Sequence, residues 1–311
     1  MNEYMPEGSL ISTSKNIEAI SSYEGLKKAY EKQTLLEANV ILCDRNLNLH
    51  VNLNQGVRGI IPKEEVVISK SGETAKDIAI LTRVGKTVCF KVIGFKKNQM
   101  GEPLAILSRR AAQEECIEKY INMLTPGDII PSKITHLEKF GAFADIGCGI
   151  ISLLSIDSIS VSRITHPSAR LKIGDTIYTV VKSIDEKGRV FLSAKELLGS
   201  WEENAALFTE GQTVRGIVRS IESYGIFIEL TPNLAGLAEY KENVLEGQYA
   251  AVYIKSIIPE KMKIKLIIID TESAPKSYEP LNYFVDVSRT PHIDSWSYSP
   301  RSAKKRIETF F

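Results

Sequence analysis

A stretch of sequence that returns at one fixed offset constrains a chain more than any single motif, because every copy has to fold into the same small unit. Gly127 matches Gly211, Ile134 matches Val218, and Phe140-Gly141-Ala142-Phe143 matches Tyr224-Gly225-Ile226-Phe227, each pair 84 positions apart. After the aromatic pair the second copy reads with a longer turn, Thr231-Pro232-Asn233, so that Gly236-Leu237 answers to Gly149-Ile150. Turns accept insertions at little cost. Within a copy the apolar residues alternate, with Val214, Gly216 and Val218 on one face and Arg215, Ile217 and Arg219 on the other, which is the period of a half-buried strand. A later run opens with Gly174-Asp175-Thr176-Ile177 or Gly247-Gln248-Tyr249-Ala250 and closes with Arg189-Val190-Phe191-Leu192-Ser193 or Lys263-Ile264-Lys265-Leu266. Short strands separated by glycine-bearing turns predict a small closed barrel.

A weaker third copy lies upstream, with Gly59-Ile60-Ile61-Pro62 as its third strand, Gly85-Lys86-Thr87-Val88 opening the fourth and Leu107-Ser108-Arg109-Arg110 ending the fifth. The fold class is therefore mainly β, tandem five-stranded barrels joined by short helices. The expected organisation is a helical segment at 1–37, a degenerate barrel at 38–110, a linker helix at 111–124, a barrel at 125–199, a linker helix at 200–208, a shortened barrel at 209–270 and a tail at 271–311. Ile117, Tyr120, Ile121 and Leu124 form the apolar stripe of one connector, while Leu198 and Trp201 mark a second over 195–207. A further helix is expected over Tyr23 to Leu36. The tail reads as irregular, yet Trp296, Tyr298, Phe310 and Phe311 predict that it folds back onto a barrel.

Composition narrows the function. Lys plus Arg number 39 against 38 for Asp plus Glu, so no global positive field collects polyanions from a distance. Cys43, Cys89, Cys116 and Cys148 form no CxxC pair and have no histidine at ligand spacing, so reduced, buried thiols and no metal are expected. No basic stretch followed by an apolar run opens the chain, and no run of ~18 apolar residues occurs, which predicts a cytoplasmic protein without membrane contact. His136 and His166 have neither a nucleophile elbow nor a carboxylate pair to work with, so they read as turn or surface residues, and the chain as neither an enzyme nor a cofactor binder. Lys304-Lys305-Arg306 reads as solvated charge.

An aromatic residue, glycine, a small or aliphatic residue and Phe, set in the second strand of a five-stranded barrel, resemble the S-one RNA-binding domain, named for the largest protein of the bacterial small ribosomal subunit. Over residues 125–199 the resemblance runs from Gly127-Asp128 through the Phe140 motif to Gly174-Asp175 and on through Ile184-Asp185-Glu186-Lys187-Gly188-Arg189 to Ser193. Residues 209–270 match through three strands and then shorten, and residues 38–110 match only in the later strands. The resemblance implies OB-fold barrels whose second and third strands carry rings for stacked bases, each base worth ~1–3 kcal/mol, flanked by basic residues for phosphate.

By that resemblance Phe140 and Phe143 form the stacking pair of the middle barrel, with Asp185 and Arg189 completing its RNA face, and Tyr224 and Phe227 form the pair of the last. Arg219, Lys255 and Lys263 are the expected phosphate contacts. Residues three apart in a strand point to opposite faces, so Gly141 and Gly225 must mark a bend if the rings share a surface. The histidine common in the family's third strand is replaced by Ser152 and Glu239, and by Pro62 in the first barrel, where Asn48 and Leu49 stand in place of rings. Ile258 and Lys263 stand where the middle barrel has Asp185 and Arg189. The implied function is binding of single-stranded RNA, messenger RNA above all, at the small ribosomal subunit in translation. The alternatives are an accessory subunit of an RNA-processing complex and a protein-interaction scaffold.

Overall fold

The computed structural model describes residues 3–53, 57–68, 77–97, 101–273 and 280–311. The chain divides into two compact units, one of residues 1–124 with 145–151, the other of 125–144 with 152–311. In the first unit, α1 (Ser14–Ile20) and α2 (Tyr23–Lys32) precede a barrel of β1 (Leu36–Cys43), β2 (Leu49–Asn52), β3 (Arg58–Ile61), β4 (Thr87–Lys97) and β5 (Pro103–Ser108). Thr13 and Ser22 cap the two helices by accepting the amides of Asn16 and Gly25. Leu26 and Ala29 of α2 join the barrel core with Leu36, Leu49, Ile61, Phe90 and Leu107. A short α3 (Asp77–Leu81) precedes β4, and α4 (Arg109–Lys119) follows β5.

The connector after β5 differs from expectation. Its helix ends at Lys119, a single 3-10 turn covers Ile121–Met123, and the face α4 buries is Arg109, Ala112, Gln113 and Cys116. A hydropathy stripe cannot reveal this face because two of its residues are polar and satisfied by distant partners. Arg109 forks onto Glu7 through Nε at 2.6 Å and a terminal nitrogen at 3.1 Å, and Gln113 donates to the Cys148 carbonyl at 3.1 Å.

The second unit holds two barrels. The first of them runs β6 (Ile129–Glu138), β7 (Gly141–Asp145), β8 (Ile151–Ser155), β9 (Thr176–Ile184) and β10 (Val190–Ser193). After α5 (Trp201–Ala205) come β11 (Thr213–Glu222), β12 (Gly225–Thr231), β13 (Leu234–Ala238), β14 (Tyr249–Ile258) and β15 (Lys263–Glu272). All three barrels close in one strand order, first-second-third-fifth-fourth, with the third and fifth strands parallel. That is the OB-fold arrangement. The last barrel is not shortened: β14 and β15 each have 10 residues and pair over most of that length. In β15 the alternation is plain, with Ile264, Leu266 and Ile268 inside and Lys263, Lys265 and Ile267 outside.

The second connector is also broken. Lys195–Leu198 is a 3-10 turn, Gly199 adopts φ +81°, and α5 restarts at a Ser200/Glu203 capping box. The tail packs onto its unit. Its β16 (Ser295–Ser297) and β17 (Glu308–Phe310) form a hairpin, Tyr298 is buried in the core of the last barrel and its hydroxyl donates to the Asn233 carbonyl at 2.6 Å. His292 reaches Asp128 at 2.7 Å, and Phe284 donates its amide to the Leu197 carbonyl at 2.9 Å. Residues 274–279 of the expected tail lie outside the described residues. Among the described residues, no helix is long and apolar enough to cross a membrane.

Candidate nucleic-acid interface

The two aromatic pairs occupy the same place on their barrels. Phe140 sits in the turn between β6 and β7 and Tyr224 in the turn between β11 and β12, 56% and 67% exposed. The ring centroids of Phe140 and Phe143 lie 6.0 Å apart at 88°, those of Tyr224 and Phe227 6.2 Å apart at 88°. Because the first ring of each pair belongs to the turn, strand alternation does not separate it from the second. The glycine between them is a steric requirement. A Cβ at Gly141 would lie 2.5 Å from the Leu154 carbonyl oxygen and one at Gly225 2.5 Å from that of Ala238, where φ is also +152°. Any side chain there would lift the tip off the third strand.

Strand register extends each ring into a row. In the last barrel Ser220, Phe227, Leu237, Lys265 and Ser256 stand opposite one another across five strands, while Ile226, Ala238, Leu266 and Ile254 form a buried row beside them. In the middle barrel Leu153, Phe191 and Ser183 form the matching row. There the His136 ring stacks on Phe143 at 6.3 Å and 27°, with its Nε2 2.8 Å from Glu138. In the sequence His136 reads as a surface residue, and nothing local marks Phe191 or Lys265 as contacts. Their proximity to the rings depends on register between strands far apart in sequence, and only the repeat offset that aligns His136 with Ser220 could have hinted at it.

Register also corrects the third-strand alignment. Leu153 pairs with Phe191 as Leu237 pairs with Lys265, and Gly141 meets Leu154 as Gly225 meets Ala238, so the offset of the repeat persists through this strand and no turn residues are inserted. Gly149 therefore does not answer to Gly236. The residue equivalent to Glu239 is Ser155, whereas Ser152 points inward at 4% exposed. In the first barrel Gly59 occupies the place of Gly236, which puts His50, opposite Ile60, where Phe227 stands. Leu49 is fully buried, and Asn48 accepts the Lys63 amide at 3.2 Å and donates to Asp44 at 3.0 Å. A slip of one residue exchanges the faces of a strand. His50 itself is paired with Asp44 at 3.2 Å, so this barrel presents a histidine in place of a ring pair.

The charged residues divide by their partners. Asp185 accepts the amides of Arg189 at 2.9 Å and Lys187 at 3.0 Å, and the Arg189 Nε at 2.7 Å. The Arg189 amide first, and its guanidinium with it, hold the Asp185 carboxyl below the usual range. Asp185 thus shapes the turn and Arg189 is its exposed cation. The equivalent pair in the last barrel is Ile258 opposite Lys263. Lys263 and Lys265 are exposed on β15, and Lys255 is exposed on β14 at an irregularity between Ile254 and Ser256. With strands about 4.8 Å apart, Lys265 stands roughly 10 Å from Phe227 along their row. Arg219 is placed otherwise than expected. Its guanidinium is bound to the buried Glu229 at 2.7 and 3.0 Å, and its side chain is only 15% exposed.

Three barrels of one strand order, two of them bearing a ring pair at the same hairpin tip, define a tandem OB-fold protein that resembles the S-one (S1) type. Residues 124–195 match the family model of the S1 RNA binding domain. The chain resembles the small ribosomal subunit protein bS1 of Staphylococcus aureus strain COL, at 29% identity over 280 residues that cover 84% of this chain and 68% of that protein. It is 28% identical over 288 residues to the bS1 homolog of Bacillus subtilis strain 168, covering 87% and 72% of the two chains. Among solved structures, a multidomain protein with nucleic acid binding domains from Streptococcus pneumoniae TIGR4 is 17% identical over a match that covers 80% of this chain and 76% of that one, with a TM-score of 0.25.

Proposed function

We propose that this chain binds single-stranded RNA on the outer faces of its middle and last barrels, and that it does so at the ribosome, in the cytoplasm, on messenger RNA. The observation that carries the reading is the repeated ring pair, exposed at the same hairpin tip of both barrels and backed by a glycine that cannot be replaced without moving it. Bases stack on Phe140, Phe143, Tyr224 and Phe227, with His136 and Phe191 widening the middle platform. Arg189, Lys255, Lys263 and Lys265 meet phosphates, with Asp185 fixing the turn that presents Arg189. Arg219 is outside this set because Glu229 holds it. Stacking is tolerant of base identity, so sequence preference is mild. The matching S1 segment supports RNA as the ligand, and the similarity to bS1 supports the ribosomal setting.

The test is fluorescence anisotropy of a labelled unstructured RNA oligonucleotide with the wild type and the Phe140→Ala, Phe143→Ala double variant. Two lost stacks at ~1–3 kcal/mol each predict a loss of about 30-fold or more in affinity. An unchanged affinity removes the middle barrel from the interface. No binding by the wild type sinks the RNA reading and favours a protein-interaction scaffold. One observation favours protein contact for the first barrel in particular: it lacks the rings and exposes Ile41 and Leu42 at 57% and 44%. Co-sedimentation of the full chain with small ribosomal subunits, abolished in an Ile41→Glu, Leu42→Lys variant that still binds RNA, is the expected result.

A further inference from the structure

A cavity of about 720 Å³ in the second unit takes its walls from the 168–172 segment, β11, β12 and the tail near Phe284. That volume lies within the range of small-ligand sites. Among the described residues lining it, Arg170, Lys172, Arg215 and Arg219 are basic and Glu229 is the one acid. Glu229 is 4% exposed and already fully used. It accepts the Ser162 hydroxyl at 2.8 Å, the fork of Arg219 at 2.7 and 3.0 Å, and a terminal nitrogen of Arg170. Two guanidinium groups on one buried carboxylate leave an excess of one positive charge where water screens it poorly.

Arg170 shows the shortfall directly. It is 5% exposed, and its buried Nε–H has no hydrogen-bond acceptor among the described residues. Arg215 stands 3.5 Å over the Tyr249 ring and 3.2 Å from Glu272, but both members of that ion pair are more than half exposed, so the pair binds the cation weakly. Convergent guanidinium forks of this kind suit the tetrahedral oxygens of phosphate.

We propose that this cavity is a phosphate-binding site, with Arg170 at its base and Lys172 and Arg215 at its mouth, while Arg219 stays on Glu229. The phosphate has two possible sources. One is a free phosphorylated small molecule of the diphosphate class. The other is the backbone of an RNA strand that continues past Phe227, since Glu229 lies two residues further along the same strand face. The second source rests on the RNA reading above and the first does not.

The experiment is isothermal titration of inorganic diphosphate into the full chain, run beside RNA anisotropy. The wild type is compared with Lys172→Glu, Arg215→Glu, whose exposed positions tolerate change, with Arg170→Met, and with Lys304→Glu, Lys305→Glu as a control for net charge. Binding of one diphosphate per chain, weakened at least tenfold in the first two variants but not in the control, is expected. Unchanged RNA affinity in those variants assigns the site to a free ligand. RNA affinity that falls tenfold with them, and diphosphate that competes with RNA, assign it to the strand. Arg170→Met leaves a neutral Arg219–Glu229 pair, so it should fold at least as well as the wild type while losing the ligand. If it unfolds, the mouth variant decides. The proposal is overturned if neither diphosphate nor RNA affinity responds to these residues, or if the control matches them.

Discussion

Replacing Glu7 by Gln tests whether a buried ion pair organises the first unit. Arg109 is 1% exposed and Glu7 9%, and the two meet in a fork at 2.6 and 3.1 Å. Glu7 also accepts the Cys89 amide at 3.1 Å and lies 3.7 Å from Arg83, so two guanidinium groups depend on its charge. Gln keeps the shape and one acceptor oxygen but removes the charge, leaving Arg109 one neutral acceptor at this position beside the Val66 carbonyl at 3.1 Å. Breaking one partner of such a pair costs about 3–5 kcal/mol, a large part of the ~5–15 kcal/mol that holds a domain together. Replacing both partners, as Glu7→Met with Arg109→Met, removes the uncompensated charge and should recover most of the loss.

Urea unfolding followed by far-UV circular dichroism reads these variants. Tryptophan fluorescence, from Trp201 and Trp296 of the second unit only, marks that unit's transition separately. Acid should act in the same direction. Burial raises the Glu7 carboxyl, but the Arg109 charge and hydrogen bonds outweigh it and leave the group below its ordinary value. A depressed carboxylate stabilises the fold above its unfolded pKa of about 4.3, and that contribution disappears as pH falls through the lower folded value. A Glu7→Gln loss under about 1 kcal/mol, or a double variant as weak as the single, would refute the reasoning.

Three further outcomes are expected. Lys263→Ala with Lys265→Ala should weaken RNA binding and lower the salt slope by about 0.7 for each phosphate that is no longer neutralised, measured by anisotropy across a salt series. Gly225→Ala forces a Cβ to within 2.5 Å of the Ala238 carbonyl oxygen at φ +152°, so it should cost about 1–3 kcal/mol in urea unfolding read by Trp201, which packs in the core of that barrel. The hydrogen bond to Asp128 first, and the nearby charges of Asp128 and Asp294, raise the His292 pKa. This attachment of the tail is therefore at full strength below about pH 6.5 and fades as pH rises through the higher folded value. Relative to its rate on an unstructured peptide at the same pH, trypsin should cut the tail faster at pH 8.5 than at pH 6, a difference that His292→Ala removes.

Much of the fold was legible because its signals are local. Alternation over Val214 to Arg219, glycines at the turns and a repeated Phe-Gly-Ala-Phe or Tyr-Gly-Ile-Phe segment each concern a few neighbouring residues, and strand propensity acts at that range. The connectors were misread where their buried faces are polar, since Arg109 and Gln113 look solvent-exposed until Glu7 and the Cys148 carbonyl are placed beside them. The last barrel looked short because the family's polar turn is missing there. Its strands are complete, and Ile258 and Lys263 still pair across the turn. The ring pairs were readable as residues, but their shared face was not, since it depends on Phe140 and Tyr224 lying in turns.

By itself the sequence determined that small β-barrels repeat, where their aromatic motifs fall, and which strand faces are apolar, because periodicity and turn chemistry are properties of adjacent residues. Only the tertiary structure decided which residues share a row: that His136 stacks on Phe143, that Lys265 lines up with Phe227, that His50 takes the place of a ring, and that Arg219 and Arg170 turn inward onto Glu229. Register between strands is fixed when a barrel closes and its inward row finds a core, so a residue's neighbours across the sheet are set by the whole closed surface and not by the strand it belongs to.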